Sequence, residues 1–297
     1  MLARSPGRHW ISTAWPHLDG SQGTAAAWIV VLWVVVLWQL ESPGLLDPDE
    51  AHYAQITREM LRSGRWLVPT IDGLPFIDKP VLFHWLQAFS FLIFGITEFA
   101  ARAPSAGAAV ALAWMTGWAG RQLFGAPTGR RAALMFLTLP ATFALGSIGL
   151  YDMTFSAALF GGVACLIVAA VCDRPRVQWS GYALLSLAIM IKGPVAVLLL
   201  AVAFVATVVC VPSARPRLLG LRWLVGPGLA VAAAAPWFAW MWWRLGDGFV
   251  QGYVIQGNVW YITHPFRFRQ PNYFFYTRTL FGAFLPWTLL CTGRLLD

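Results

Sequence analysis

The fold class predicted is all-α and integral to a membrane: a multi-spanning helical bundle with a large first extracytoplasmic loop carrying juxtamembrane helices. Three observations predict it. Of 297 residues, 58% are hydrophobic and 11% charged, whereas soluble domains are nearer a quarter charged. Apolar runs recur along the chain, several near the ~20 residues that a spanning helix needs. The arginines stand in short clusters between those runs, as the positive-inside rule requires. The net charge of +8 is therefore read as topology, and nucleic acid is not expected as a partner.

The elements follow in order. Residues 1–24, with Arg4 and Arg8 among Gly, Ser and Pro, read as a cytoplasmic tail. The run 25–40 has no small-residue cleavage site behind it and is read as a retained anchor. It begins a single transmembrane domain, 25–297. Residues 41–80 form the longest polar interval, the first extracytoplasmic loop. Further apolar runs fall at about 81–96, 104–120, 132–150, 153–172, 179–191, 194–211, 223–243 and 279–292. Cys165, Cys172, Cys210 and Cys291 lie in or beside these runs without CxxC or Cys/His spacing, and read as buried thiols.

Basic clusters orient the runs. Arg121, Arg130 and Arg131 mark one cytoplasmic loop, Arg174 and Arg176 a second, and Arg215, Arg217 and Arg222 a third. Tyr151-Asp152, Lys192-Gly193 and a later loop, 244–278, then share a side with 41–80. Only one crossing fits between that loop and Arg121, yet 81–96 and 104–120 are both apolar. Either one of them is interfacial or re-entrant, or Arg121 breaks the rule.

The first loop holds seven of the 13 acidic residues: Glu41, Asp47, Asp49, Glu50, Glu59, Asp72 and Asp78. In "LLDPDEAHYAQITREML", Asp47 stands as N-cap and Pro48 at the first helical position. Glu50 completes a capping-box spacing. Tyr53, Ile56, Met60 and Leu61 recur at helical spacing, so 48–62 reads as a surface helix stopped by Gly64. Capping accounts for Asp47, but not for Asp49 four residues before Tyr53 on one face. Pro69, Gly73, Pro75 and Pro80 make the rest of the loop an extended, turn-rich strap ending at Asp78-Lys79-Pro80. Lys79 and Lys192 are the chain's only lysines. They read either as snorkelling anchors or as ammonium groups suited to a lipid-linked phosphate. Asp152, between apolar stretches, is a functional candidate by its cost. The segment "NVWYITHPFRFRQPNYFFYTR" reads either as an interfacial aromatic anchor or as a donor surface, with Asn258 and Tyr273 as candidate contacts.

The stretch "DPDEAHYAQITREMLRSGRWLVPTIDGLPFIDKPVLFHWLQAFSFLIFGITEFAARAPSA", Tyr151-Asp152-Met153, Lys192-Gly193-Pro194 and "RFRQPNYFFY" followed by Leu285-Pro286-Trp287 resemble polyprenyl-phosphate-sugar glycosyltransferases of the GT-C fold. The resemblance is to the lipid A aminoarabinose transferases and their protein O-mannosyltransferase relatives. It implies an enzyme of the inner membrane, multi-pass, with its active site on the extracytoplasmic side. That enzyme would transfer a sugar from an undecaprenyl-phosphate-type donor to a lipid, glycan or protein acceptor, with inversion and with no required cofactor. The family's acidic-motif carboxylate falls on Asp49, its tyrosine on Tyr53, its acid-Lys-Pro on Asp78, Lys79 and Pro80, its second aspartate on Asp152 and its phosphate-binding arginine on Arg269. Asp78 stands where relatives often carry Glu. Phe268, not His, precedes Arg269, leaving Asp78 and His264 as the pair that could hold a divalent ion. Asp49 would be the base and Asp152 a second catalytic residue, Lys79, Lys192 and Arg269 would hold phosphate, and a nearby carboxylate would stabilise the positive anomeric carbon. Family members usually continue further, so the chain is expected to lack their C-terminal part. The alternatives are a transporter or flippase of an amphipathic substrate, whose charges would spread through the midplane, and an inactive fragment.

Overall fold

The computed structural model describes residues 29, 33–34, 37, 39–42, 44–46, 48–260 and 274–290. The predicted tail, Asp47, His264, Arg269 and Tyr273 lie outside them. A 3-10 turn, Gln39–Glu41, precedes α1, Asp49–Ser63, which ends at Gly64 in the left-handed conformation. Tyr53, Ile56 and Met60 are buried, so the predicted periodicity marks the packed face. The strap contains a two-stranded hairpin, β1 (Thr70–Ile71) and β2 (Leu74–Pro75), turned at Asp72-Gly73, both with positive φ.

The apolar runs 81–96 and 104–120 become the helices α2 (Leu82–Phe94) and α3 (Glu98–Phe124). Thirteen residues reach only about 20 Å, short of the ~30 Å hydrocarbon core, whereas α3 has 27 residues and reaches about 40 Å. α3 is therefore the longer of the two, although among the described helices only Tyr151–Val171 is by itself both long and apolar enough to cross a membrane. The N-cap of α3 is Thr97, whose Oγ1 accepts the Ala100 amide at 3.2 Å.

The predicted span 132–150 is not one helix. It divides into the end of α4 (Ala126–Leu137) and α5 (Pro140–Gly146), separated at Thr138-Leu139. Pro140 explains the break, because a proline removes a ladder donor and disfavours helical geometry before it. Then come α6 (Tyr151–Val171), α7 (Val177–Lys192), α8 (Pro194–Cys210), short α9 (Arg215–Leu219) and α10 (Val225–Leu245). α8 and the segment Pro212–Leu219 meet at 109°. The predicted loop 244–278 begins as structure: a helical turn at Asp247–Phe249 runs into a π-helical segment, Val250–Trp260. α11 is Phe275–Ala283.

α6 and α7 pack through Gly162 and Gly181, where each glycine's missing Cβ would meet the other's carbonyl at about 3 Å. Such small-residue contacts are how helices approach closely in lipid. Conversely, α8 buries only Ala196 and leaves Val197, Leu198, Val202, Val205 and Val209 exposed, as a lipid-facing helix should. The two ends of the bundle differ. Cys172 Sγ reaches Gln122 O at 3.4 Å and Gln178 accepts the Arg222 amide at 3.0 Å. The ends bearing Arg121, Arg174, Arg176 and Arg222 therefore lie together, and Asp152 meets Lys192 at the other end.

Candidate active site

The site forms where α1, the strap, the start of α6 and the end of α7 converge. Antiparallel packing of α6 and α7 brings Asp152 in one first turn against Lys192 in the other's last turn, with Lys192 Nζ donating to Asp152 Oδ1 at 2.6 Å. Lys192 Nζ lies 5.1 Å from the centroid of the Tyr151 ring and Lys79 Nζ 5.8 Å, so one aromatic face gathers both lysines. Lys79 Nζ also donates to Asp78 Oδ1 at 2.9 Å. The two lysines are thus paired and convergent, which a pair of independent snorkelling anchors would not be.

Tyr53 packs 5.2 Å from Tyr151 between ring centroids, with Phe83 and His84 around it. Burial, then the hydrogen-bonded Tyr151 and the carboxylates of Asp78 and Asp49, hold the Tyr53 phenol well above its ordinary pKa. Tyr53 is therefore a neutral hydroxyl here, able to donate to an anionic ligand. Beside it opens a cavity of about 870 Å³, lined among others by Asp49, His52, Tyr53, Asp78, Gln251 and Gln256. Asp49 is exposed to it and carries no ion pair among the described residues. Asp49 and Tyr53 thus share the face that the spacing predicted.

Glycine packs the strap and the π segment together. A Cβ at Gly252 would strike Ile77 at 2.5 Å, and one at Gly257 would lie 3.6 Å from Asp78 Oδ1. Gly193 plays the same part under Lys192: φ is +68° and ψ −137°, and a Cβ there would collide with the Tyr253 hydroxyl. Tyr253 cannot yield, because it is 3% exposed and stacked on Phe249 with centroids 5.2 Å apart.

Some expected roles change. Glu50 is not chiefly a cap. The N-cap position is Pro48, without a side-chain hydrogen bond, and the Glu50 carboxylate is 1% exposed, paired with Arg102 Nε at 2.8 Å and Nη2 at 2.9 Å. It does accept the Leu46 amide at 2.8 Å, whereas the expected box runs to the N-cap residue. Asn258 donates to Tyr253 O at 2.7 Å within its own segment and does not line the cavity. Asp78 is engaged by Lys79, and no group of three His, Cys, Asp or Glu suited to a metal occurs among the described residues. Sequence reasoning did not single out Arg102, Gln251, Gln256 or Tyr253. For Arg102 a signal existed: a charge inside a mostly small and apolar helix.

Residues 78–242, more than half of the chain, match the family described as dolichyl-phosphate-mannose-protein mannosyltransferase. The chain is 32% identical over 278 residues to undecaprenyl phosphate-alpha-4-amino-4-deoxy-L-arabinose arabinosyl transferase 1 of Sodalis glossinidius, covering 86% of this chain and 46% of the relative. It is 30% identical to the corresponding transferase of Serratia proteamaculans, with 85% and 46% covered. The chain thus spans about half the length of these relatives. Among solved structures, ArnT from Cupriavidus metallidurans bound to undecaprenyl phosphate superposes with a TM-score of 0.77 at 26% identity, covering 91% of this chain and 50% of the other. The apo form of the same protein gives 0.76 at 23% identity, with 92% and 50% covered. On its matched residues, its helical architecture and its likeness to these structures, the chain belongs to the dolichyl-phosphate-mannose-protein mannosyltransferase family and has an ArnT-like GT-C fold.

Proposed function

We propose that the protein transfers a sugar from a polyprenyl-phosphate donor to an acceptor oxygen on a lipid, glycan or protein. In this reading the reaction takes place at the extracytoplasmic face of the inner membrane. One observation carries the proposal: three aspartates and both lysines gather around Tyr53 and Tyr151 at the end opposite the arginine clusters. A transport path would distribute such charges through the membrane's depth.

The acceptor oxygen attacks the anomeric carbon as its bond to the donor phosphate breaks. The phosphate leaves with the electron pair, and a single displacement inverts the anomeric carbon. Lys79 and Lys192 place two ammonium charges beside the leaving phosphate and stabilise its oxygens as their charge rises. Neutral Tyr53 adds a hydroxyl donor. Asp152 stabilises the positive charge on the sugar, and Asp49 takes the proton of a hydroxyl acceptor; a phosphate acceptor has none to lose. Arg269 adds phosphate contacts in this reading. Asp78 and His264 alone are a poor donor set for a metal, so no step is routed through one.

The test is to incubate the purified chain with a panel of polyprenyl-phosphate sugars and membrane acceptors, following free polyprenyl phosphate and glycosylated product by mass spectrometry. Release of polyprenyl phosphate with an inverted product is expected. Intact donors across the panel, with the protein folded, would overturn the reading.

A further inference from the structure

We propose that the buried Glu50–Arg102 pair is a positioning device that sets the Asp49 and Asp152 segments in one register. The proposal rests on the transferase reading only for its catalytic consequence.

Arg102 on α3 and Glu50 on α1 are 3% and 1% exposed. Their fork is bidentate, with Nε to Oε1 at 2.8 Å and Nη2 to Oε2 at 2.9 Å. Around it converge the chain ends that lead into the site. Arg102 Nη1 donates to Leu40 O at 2.7 Å and Nη2 to Gly44 O at 3.1 Å, holding the approach to α1. Glu50 Oε2 accepts the Leu46 amide at 2.8 Å. Glu50 Oε1 also accepts the Gly149 amide at 2.6 Å, reaching the connecting segment that leads into Tyr151-Asp152. One turn along α3 from Arg102, Ser105 Oγ donates to Leu150 O at 2.7 Å.

The arrangement has a reason beyond attraction between the two charges. A buried ion pair is poor evidence of stability, since apolar residues of equal volume often do as well. Here five backbone groups, Leu40 O, Gly44 O, Leu46 N, Gly149 N and Leu150 O, end on Glu50, Arg102 or Ser105. Each would be costly if left unpaired away from water. Gly149 is what lets this segment approach: a Cβ there would lie 2.9 Å from Ala101 O and 3.2 Å from Glu50 Oε1. Asp49 is the residue beside Glu50, and Asp152 is three residues after Gly149. One carboxylate therefore ties together the backbones that carry both aspartates. Glu50 and Arg102 touch no reacting atom in this scheme; they act through Asp49 and Asp152.

The test compares wild type with Glu50→Gln, which keeps the shape and removes the charge, and with Ser105→Ala, which removes only the Leu150 bond. Hydrogen–deuterium exchange is read by peptide, and donor kinetics by kcat and KM. For Glu50→Gln, exchange should rise at least about 5-fold in segments 40–49 and 147–152 while α7 and α8 stay protected. kcat should fall at least about 10-fold with donor KM within about 2-fold. Ser105→Ala should open 147–152 alone and lower kcat about 3-fold, which keeps the test decisive if Glu50→Gln does not fold. Unchanged exchange in 147–152 in both variants, or faster exchange there with unchanged kcat, overturns the positioning role. A wild-type chain inactive on every donor overturns the transferase reading instead, and the exchange pattern still decides whether Glu50 and Ser105 hold the segment.

Discussion

Gly193→Ala tests how Lys192 is presented. In the native turn, Gly193 has φ +68° and ψ −137°, a region that L residues occupy at a cost of about 1–3 kcal/mol. The added methyl also collides with the Tyr253 hydroxyl. Tyr253 is hemmed by Phe249, Trp237 and Phe238, with ring centroids 5.2, 6.5 and 5.7 Å away. Overpacking of such a site costs a further ~1–3 kcal/mol. The sum, about 2–6 kcal/mol, is a large part of a typical folding free energy of about 5–15 kcal/mol. The variant should melt in detergent at least about 4 °C below wild type, taking ~2 °C per kcal/mol for a chain of this size. Turnover should fall with it, because the backbone that carries Lys192 must move. A melting point within about 2 °C of wild type, with normal turnover, would refute the claim that this glycine is a steric requirement of the site.

Other perturbations separate binding from folding. Lys192→Gln should lower donor kcat/KM by about 10²-fold, as loss of a charge-stabilising donor does. Its ion pair with Asp152 is partly exposed, at 22% and 36%, so stability should change by only ~0–1 kcal/mol in a thermal melt. Glu59 clamps the β1–β2 hairpin through the Asp72 and Gly73 amides, Gln55 and Thr70. Burial pushes its carboxyl up, but these hydrogen bonds outweigh it and hold the pKa below the ordinary value. The stabilisation is thus present above the unfolded pKa, near 4.3, and is lost as pH falls through the lower folded value. Protease nicking of the hairpin should increase below about pH 4.3. In Glu59→Gln it should be high at every pH; equal, pH-independent nicking in both proteins would remove the clamp.

The first helix was legible because its buried stripe, Tyr53, Ile56 and Met60, keeps helical spacing and Gly64 ends it locally, although the expected N-cap chemistry is not what starts it. The site was legible because composition isolates it: two lysines in the whole chain, and acids crowded into one loop. Hydropathy alone joined α4 to α5, since a proline break leaves apolarity unchanged; Pro140 was the available sign. It also gave 81–96 and 104–120 equal standing as spans, although the helices they form differ twofold in length, 13 residues against 27. Glu50 misled for a physical reason. A capping carboxylate and a buried ion-pair carboxylate look alike in a short window, and Arg102 lies 52 residues away. The π segment has no local signature either. Gly252 and Gly257 are explained only by what lies on them, Ile77 and Asp78.

The decisive measurement is a side-by-side transfer assay of wild type and Asp49→Asn with a polyprenyl-phosphate sugar and a hydroxyl acceptor, followed by product mass. Asp49 as base requires product from wild type and a loss of at least about 100-fold in the variant, with folding and donor binding retained. Equal turnover in the two proteins would contradict it.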